Sequence, residues 1–170
     1  MRRELTTLCG QTEQQAMPPI ADVRAVAMLL TMSSHTTIVA QGMDRICDDF
    51  SQRIAENGFT RTKKRLWMRV SGRFTETIYF HRLGSSYGTP RTPSIDLRVI
   101  LGLRVLNETS SGHEVGLISD HTRRPNGYAY HHRFNAETWS TYERCLEELL
   151  LFVHEVAEPW FCDEVNRLSA

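Results

Sequence analysis

His113, His121, His131 and His132 crowd into one stretch of the chain, with Asp120 beside His121. An imidazole next to a carboxylate can move protons near neutral pH, and convergent imidazoles can hold a transition metal. Asp120, His121, His131 and His132 are therefore the candidate catalytic residues. A zinc site needs three or more protein ligands converging on the ion. His131 and His132 are adjacent, so on a regular strand they diverge, and the spacing fits no known metal signature. The plainer reading is a set of ordinary surface histidines around an exposed hairpin, with no metal site and no cofactor.

A second candidate is the basic run at residues 61–69. Arg61, Lys63, Arg65 and Arg69 beside Trp67 could hold phosphates while the indole stacks on a base. Against this, twenty basic and twenty acidic residues cancel, and the pI is near 7.1. No global field draws the chain to nucleic acid or to an anionic membrane, so a solvated strand face is the competing reading. Arg123, Arg124, Tyr128 and Tyr130 complete the binding candidates.

Other chemistry is thinly represented. There is no Gly-x-Ser-x-Gly, phosphate loop or His-Glu-x-x-His motif. His154-Glu155 begins such a zinc motif, but Glu158 stands where the second histidine belongs. Glu143, Glu147 and Glu148 read as a solvated helix face. Cys9, Cys47, Cys145 and Cys162 form no Cys-x-x-Cys pair, and Cys47 and Cys145 fall on apolar helix stripes. A reduced, cytoplasmic protein is the expectation, and the most apolar stretch, 25–32, is too short to cross a bilayer.

These residues must be carried by a scaffold, and the strongest pattern in the chain is at 94–107. Ile95, Leu97, Val99, Leu101, Leu103 and Val105 alternate with Asp96, Arg98, Gly102 and Arg104, the signature of a strand with one face in a core. Ahead of it, Met43, Ile46, Cys47, Phe50 and Ile54 recur at helical spacing, with Asn57-Gly58 as the stop. Two strands follow. In the first, Leu66, Met68 and Val70 are expected inward, opposite Arg65, Trp67 and Arg69. In the second, Phe74, Ile78 and Phe80 share a face, after a Ser71-Gly72 reversal. Loops are expected at 84–93 and 107–112, with strands at 113–119 and 128–134. Asn135 is expected to cap a helix striped by Trp139, Tyr142, Leu146, Leu149, Leu150, Val153 and Ala157. Glu158-Pro159 should end it, before a short terminal helix.

Strands clustered between helices indicate an α+β domain: an antiparallel sheet of four or five strands covered on one face by two amphipathic helices. Leu66, Phe80, Val99 and Leu103 are expected to form the covered face. Residues 43–170 make the single domain. Residues 1–42 read as an N-terminal extension, flexible or carrying one short helix over 21–32, with 33–37 interrupting the pattern.

The helix closing in Asn-Gly-Phe-Thr-Arg (57–61), the strand Lys-Arg-Leu-Trp-Met-Arg (64–69), the strand Val-Ile-Leu-Gly-Leu (99–103) and the helix closing in Ala-Glu-Pro-Trp-Phe (157–161) together resemble the bacterial family catalogued as domain of unknown function 4304, over about 43–162. The resemblance implies a single α+β domain and brings no catalytic residues with it.

The leading expectation is a non-enzymatic protein-binding module of a bacterial cytoplasmic protein, an immunity- or antitoxin-like role being one version. Its partner would be another protein, with no membrane involved, and the oligomeric state is open. The alternatives are a nucleic-acid-associated protein using 61–69 and a hydrolase or metal enzyme centred on His121, His131 and His132.

Overall fold

The alternating stretch forms the longest strand of the sheet, β4 (Ser94–Val105). The structure, a computed structural model, describes residues 20–84, 90, 92–106 and 114–170. Side chains are described from residue 35 in the first helix and from 116 in the fifth strand. The loop expected at 84–93 and the turn at 107–112 fall largely outside the described residues, as do His113, Cys9 and 1–19. The elements run α1 (Ile20–Ile54), β1 (Thr60–Lys63), β2 (Leu66–Ser71), β3 (Phe74–Arg82), β4, β5 (Glu114–Ile118), β6 (Arg133–Asn135), α2 (Tyr142–Phe152) and α3 (Glu158–Ser169). This is an α+β arrangement.

Five strands lie in sequence order β1-β2-β3-β4-β5, all neighbours antiparallel, and β6 pairs with the start of β4. Every odd residue from Ile95 to Val105 is buried, while Arg104 is exposed and Asp96 and Arg98 are half-buried. Antiparallel partners share a face. Trp67 opposite Ile78, and Ile78 opposite Leu101, therefore stand on the covered side.

That register corrects the expected orientation of β2. Trp67 is wholly buried, whereas Val70 is 65% exposed and Leu66 and Met68 are only half-buried. Leu66 belongs to the other side of the sheet from Phe80, Val99 and Leu103. The indole is the larger hydrophobe, and it sits in an aromatic nest with Phe50 and Phe80, ring centroids 4.6–4.8 Å apart. Its N–H donates to the Ser51 hydroxyl at 2.8 Å, which donates in turn to the Cys47 carbonyl. The polar tip of the buried ring is thus satisfied.

Helix α1 supplies half of the cover and has no break at 33–37. Among its described side chains, those buried are Val39, Met43, Ile46, Cys47, Phe50 and Ile54. Gly58, at φ +81°, ends the helical turn as its spacing predicts. Helix α2 supplies the other half through Cys145, Leu146, Leu149 and Phe152.

Three expectations about the helices are corrected. Asn135 does not cap α2. Its side-chain oxygen accepts from the amides of Glu137 and Thr138, closing a turn before the helix begins. Glu148 does not face solvent but is 7% exposed. Pro159 does not stop the helix either, because a π-helical turn at Val153–Ala157 joins α2 to α3. Proline lacks an N–H and its ring collides with the carbonyl four residues back, here Glu155. The wider π turn lies over that residue and removes the conflict.

Helix α1 approaches Ile95 of β4 and Ala136 closely at Gly42. A Cβ there would lie 2.6 Å from the Ala136 Cβ and 2.8 Å from the Ile95 Cδ1. Alanine favours helices over glycine by about 1 kcal/mol, yet the overlap dominates here because the Ala136 methyl cannot rotate away. Gly42→Ala is expected to lower stability by about 1–3 kcal/mol. Urea unfolding of the two proteins measures it, and an equal or raised midpoint would show that the helix can back away from the sheet.

Candidate binding site

The basic run is dispersed by the register of β2. Arg61 pairs with Asp48 at 2.5 Å and also donates to main-chain carbonyls of Lys63 and Lys64. Arg69 lies on the covered side. Its guanidinium forks onto Glu158 at 2.8 and 2.7 Å, reaches Glu76 at 2.6 Å and donates to the Asn57 carbonyl at 2.7 Å. Phe59 lies 4.4 Å below it. Burial opposes the Arg69 charge, but the hydrogen bonds it donates to Glu158 and Glu76 outweigh it and hold its pKa above the usual range. Lys63 is exposed and Arg65 half-buried. With Trp67 buried and Arg61 and Arg69 engaged, this strand presents no stacking ring and no continuous basic stripe.

The other candidates converge more closely. Asp96, Ser119, Asp120, Arg123, Tyr130 and His132 line one cleft of about 250 Å³, with Leu83, Leu97 and Ala129 as its apolar wall. Asp96 and Leu97 come from β4, and Ser119 and Asp120 from a 3₁₀ turn that follows β5. The opposite wall is the irregular segment 123–132, reversed by a turn in which the Gly127 amide donates to the Arg124 carbonyl at 2.8 Å. The Leu97 amide donates to the His132 carbonyl at 2.9 Å, which ties that segment to β4. A regular strand forms only at Arg133–Asn135, shorter than the expected 128–134. Arg98 binds the Asp120 carboxylate at 2.8 Å, and Ser119 Oγ accepts from the Val99 amide at 3.0 Å.

Glu148 anchors the far side of segment 123–132. Its carboxylate receives Arg124 at 2.6 Å and the His131 amide at 3.2 Å. Tyr130 donates to Glu155 at 2.8 Å; burial, then this bond, push its phenol up to about 12. His132 is 6% exposed and packs edge-on to Phe152. Burial pushes its imidazole down to about 4, outweighing the pull of Glu148 toward the charged form. His131 is half-buried, His121 is exposed, and Tyr128 is 73% exposed. Among the described residues no three His, Cys, Asp or Glu side chains are grouped closely enough to hold a metal. Asp96, Ser119 and Glu148 carried no sequence signal as site residues, since only the register of β4 and the fold of α2 bring them here.

Next to the cleft lies the face of the sheet over which no described helix lies. Leu66 pairs with Tyr79, Tyr79 with Ile100, and Ile100 with Ile118, so one apolar row crosses four strands. Tyr79 is 37% exposed and the other three are half-buried. The next row is Met68, Thr77, Gly102 and Gly116. Arg98 joins this face to the cleft through Asp120.

No described helix is long and apolar enough to cross a membrane. Comparison with models of known families, with curated proteins and with solved structures gave no match.

Two expectations follow from the buried charges. Arg69→Ala leaves Glu76, 4% exposed, without its counter-ion, and should cost about 3–5 kcal/mol. The double change Arg69→Met with Glu76→Leu should recover most of that in urea unfolding, whereas no recovery would mean that Arg69 matters mainly through Glu158. His132 titrates near 6.5 when unfolded and near 4 when folded. Its contribution is therefore complete above pH 6.5 and is lost as pH falls toward 4. The loss is about 2 kcal/mol by pH 5 and about 3 kcal/mol in full. His132→Gln should flatten that part of the stability–pH curve, and parallel curves for the two proteins would refute the assignment.

Proposed function

We propose that this protein is a non-enzymatic protein-binding module whose docking surface is the face of the sheet over which no described helix lies. The observation that carries the reading is the row Leu66, Tyr79, Ile100 and Ile118, contiguous across four strands and partly open to solvent. Contiguous exposed apolar patches on a folded domain mark interaction sites more often than isolated exposed residues do. That row would receive a partner's apolar ridge, and Lys63 and Arg104 at the margins favour carboxylates around that ridge. A cytoplasmic bacterial protein with an immunity- or antitoxin-like role, of the kind that resembles domain of unknown function 4304, is the specific form of this reading. The nucleic-acid alternative has lost its stacking ring and two of its four cations.

The test uses the tagged full chain and its Tyr79→Asp and Ile100→Asp forms as baits in bacterial lysate. A protein captured by the unchanged chain is then purified and titrated against all three. Either substitution is expected to weaken binding at least about tenfold, or about 1.4 kcal/mol, with the melting temperature preserved because the side chains are not in the core. Equal affinity for all three baits, or no saturable partner at all, counts against the sheet face.

A further inference from the structure

We infer that the cleft between β4 and segment 123–132 is a separate binding site for a small, uncharged, hydroxyl-rich molecule of monosaccharide size. Its volume, about 250 Å³, lies below the range of about 300–1,000 Å³ typical of drug-sized ligands. Its charges cancel: Asp96 and Asp120 face Arg98 and Arg123, so a net-charged ligand gains little from entering. Hydrogen-bonding capacity is not balanced in the same way. The Asp96 carboxylate makes no hydrogen bond or ion pair among the described residues, and Arg98 engages only Oδ2 of Asp120. Tyr130 spends its proton on Glu155 and keeps its lone pairs. Arg123 spends part of its donor capacity on the carbonyls of Asp120 and Thr122, both at 3.0 Å. Acceptors therefore exceed free donors, which suits a ligand that brings several O–H groups. Leu83, Leu97 and Ala129 offer an apolar wall for the C–H face of such a ring.

A second observation concerns the wall itself. The buried side-chain atoms without hydrogen-bond partners among the described residues are Arg124 Nε, His131 Nε2 and His132 Nε2. All three belong to segment 123–132. A polar atom buried without a partner is costly and calls for an explanation. Of the three, His132 lines the cleft, where an occupant's hydroxyl would offer it a partner, whereas Arg124 and the His131 amide turn to Glu148 on the far side of the segment.

The experiment titrates the ¹⁵N-labelled full chain with D-glucose, D-galactose, D-ribose and myo-inositol, and separately with tetramethylammonium and inorganic phosphate. At least one polyol is expected to shift the amides of Asp96, Asp120 and Tyr130 saturably, with a millimolar Kd. Asp96→Asn, on a half-exposed side chain, should weaken that binding about tenfold, and Ala129→Phe, which fills the wall, should abolish it. Tyr79→Asp should bind the polyol normally, so failure of the sheet-face reading and failure of this one are distinguishable. No saturable shift with any polyol, a larger response to either ion, or indifference to both cleft substitutions would overturn the inference.

Discussion

The apolar row of β4 lies on one side only, and the need to cover it governs this molecule. Strand β4 sends every second side chain to the same side, and each of those side chains is buried. The chain meets the demand from both ends, with α1 before the sheet and α2 and α3 after it. Both ends must return to the same face, and α1 passes close over the start of β4. Gly42 is there, facing Ile95 and Ala136. With all the helical cover on that face, no described helix lies over the opposite one.

The same register brings charge under the roof. Once Ile78 pairs with Trp67, the next pair on that side is Glu76 with Arg69. The solution is a compact network in which Arg69 joins two strands to α3 through Glu76 and Glu158. Desolvating such a cluster offsets most of its Coulombic gain, so its value is in geometry more than in net stability. It fixes the direction in which α3 leaves the π turn, and the π turn is what allows Pro159 to stand inside a continuous helical path.

How much of this was legible depended on whether one row of side chains was unambiguous. In β4 the apolar row was pure, and the strand and its buried face could be read from period two alone, while the α+β class followed from strands clustered between helices. In β2 the two rows competed: Leu66, Met68 and Val70 outnumber Trp67, and Trp67 is flanked by arginines. Counting apolar residues chose the wrong row, because the decision is made by the cross-strand partner and by the cavity beside Phe50. Glu148 was misread for a related reason, since nothing local to α2 announces that Arg124 and the His131 amide will meet it. The cleft was half legible. Asp120, Arg123, Tyr130 and His132 stood out by type, but their convergence depends on the β4–β5 register and on the turn at Gly127, which no periodicity encodes.

The direction of the perturbed pKa values bears on what the cleft can do. Perturbed groups mark functional sites when the shift poises them for a task near neutral pH. Here every large shift runs the other way. Burial lifts the Cys47 thiol to about 11 and the Cys145 thiol to about 12, far from the reactive thiolate. Tyr130 is pushed up to about 12 and Tyr142 higher still, both by burial and then by a carboxylate that accepts the phenolic proton. His132, at about 4, is a much weaker base than an ordinary imidazole. A general base works best with a pKa near the operating pH, and a nucleophile needs a lowered pKa or an adjacent base. These groups are held in fixed protonation states across the neutral range. Fixed donors and acceptors are what recognition requires, because they present one hydrogen-bonding pattern to a partner at any physiological pH.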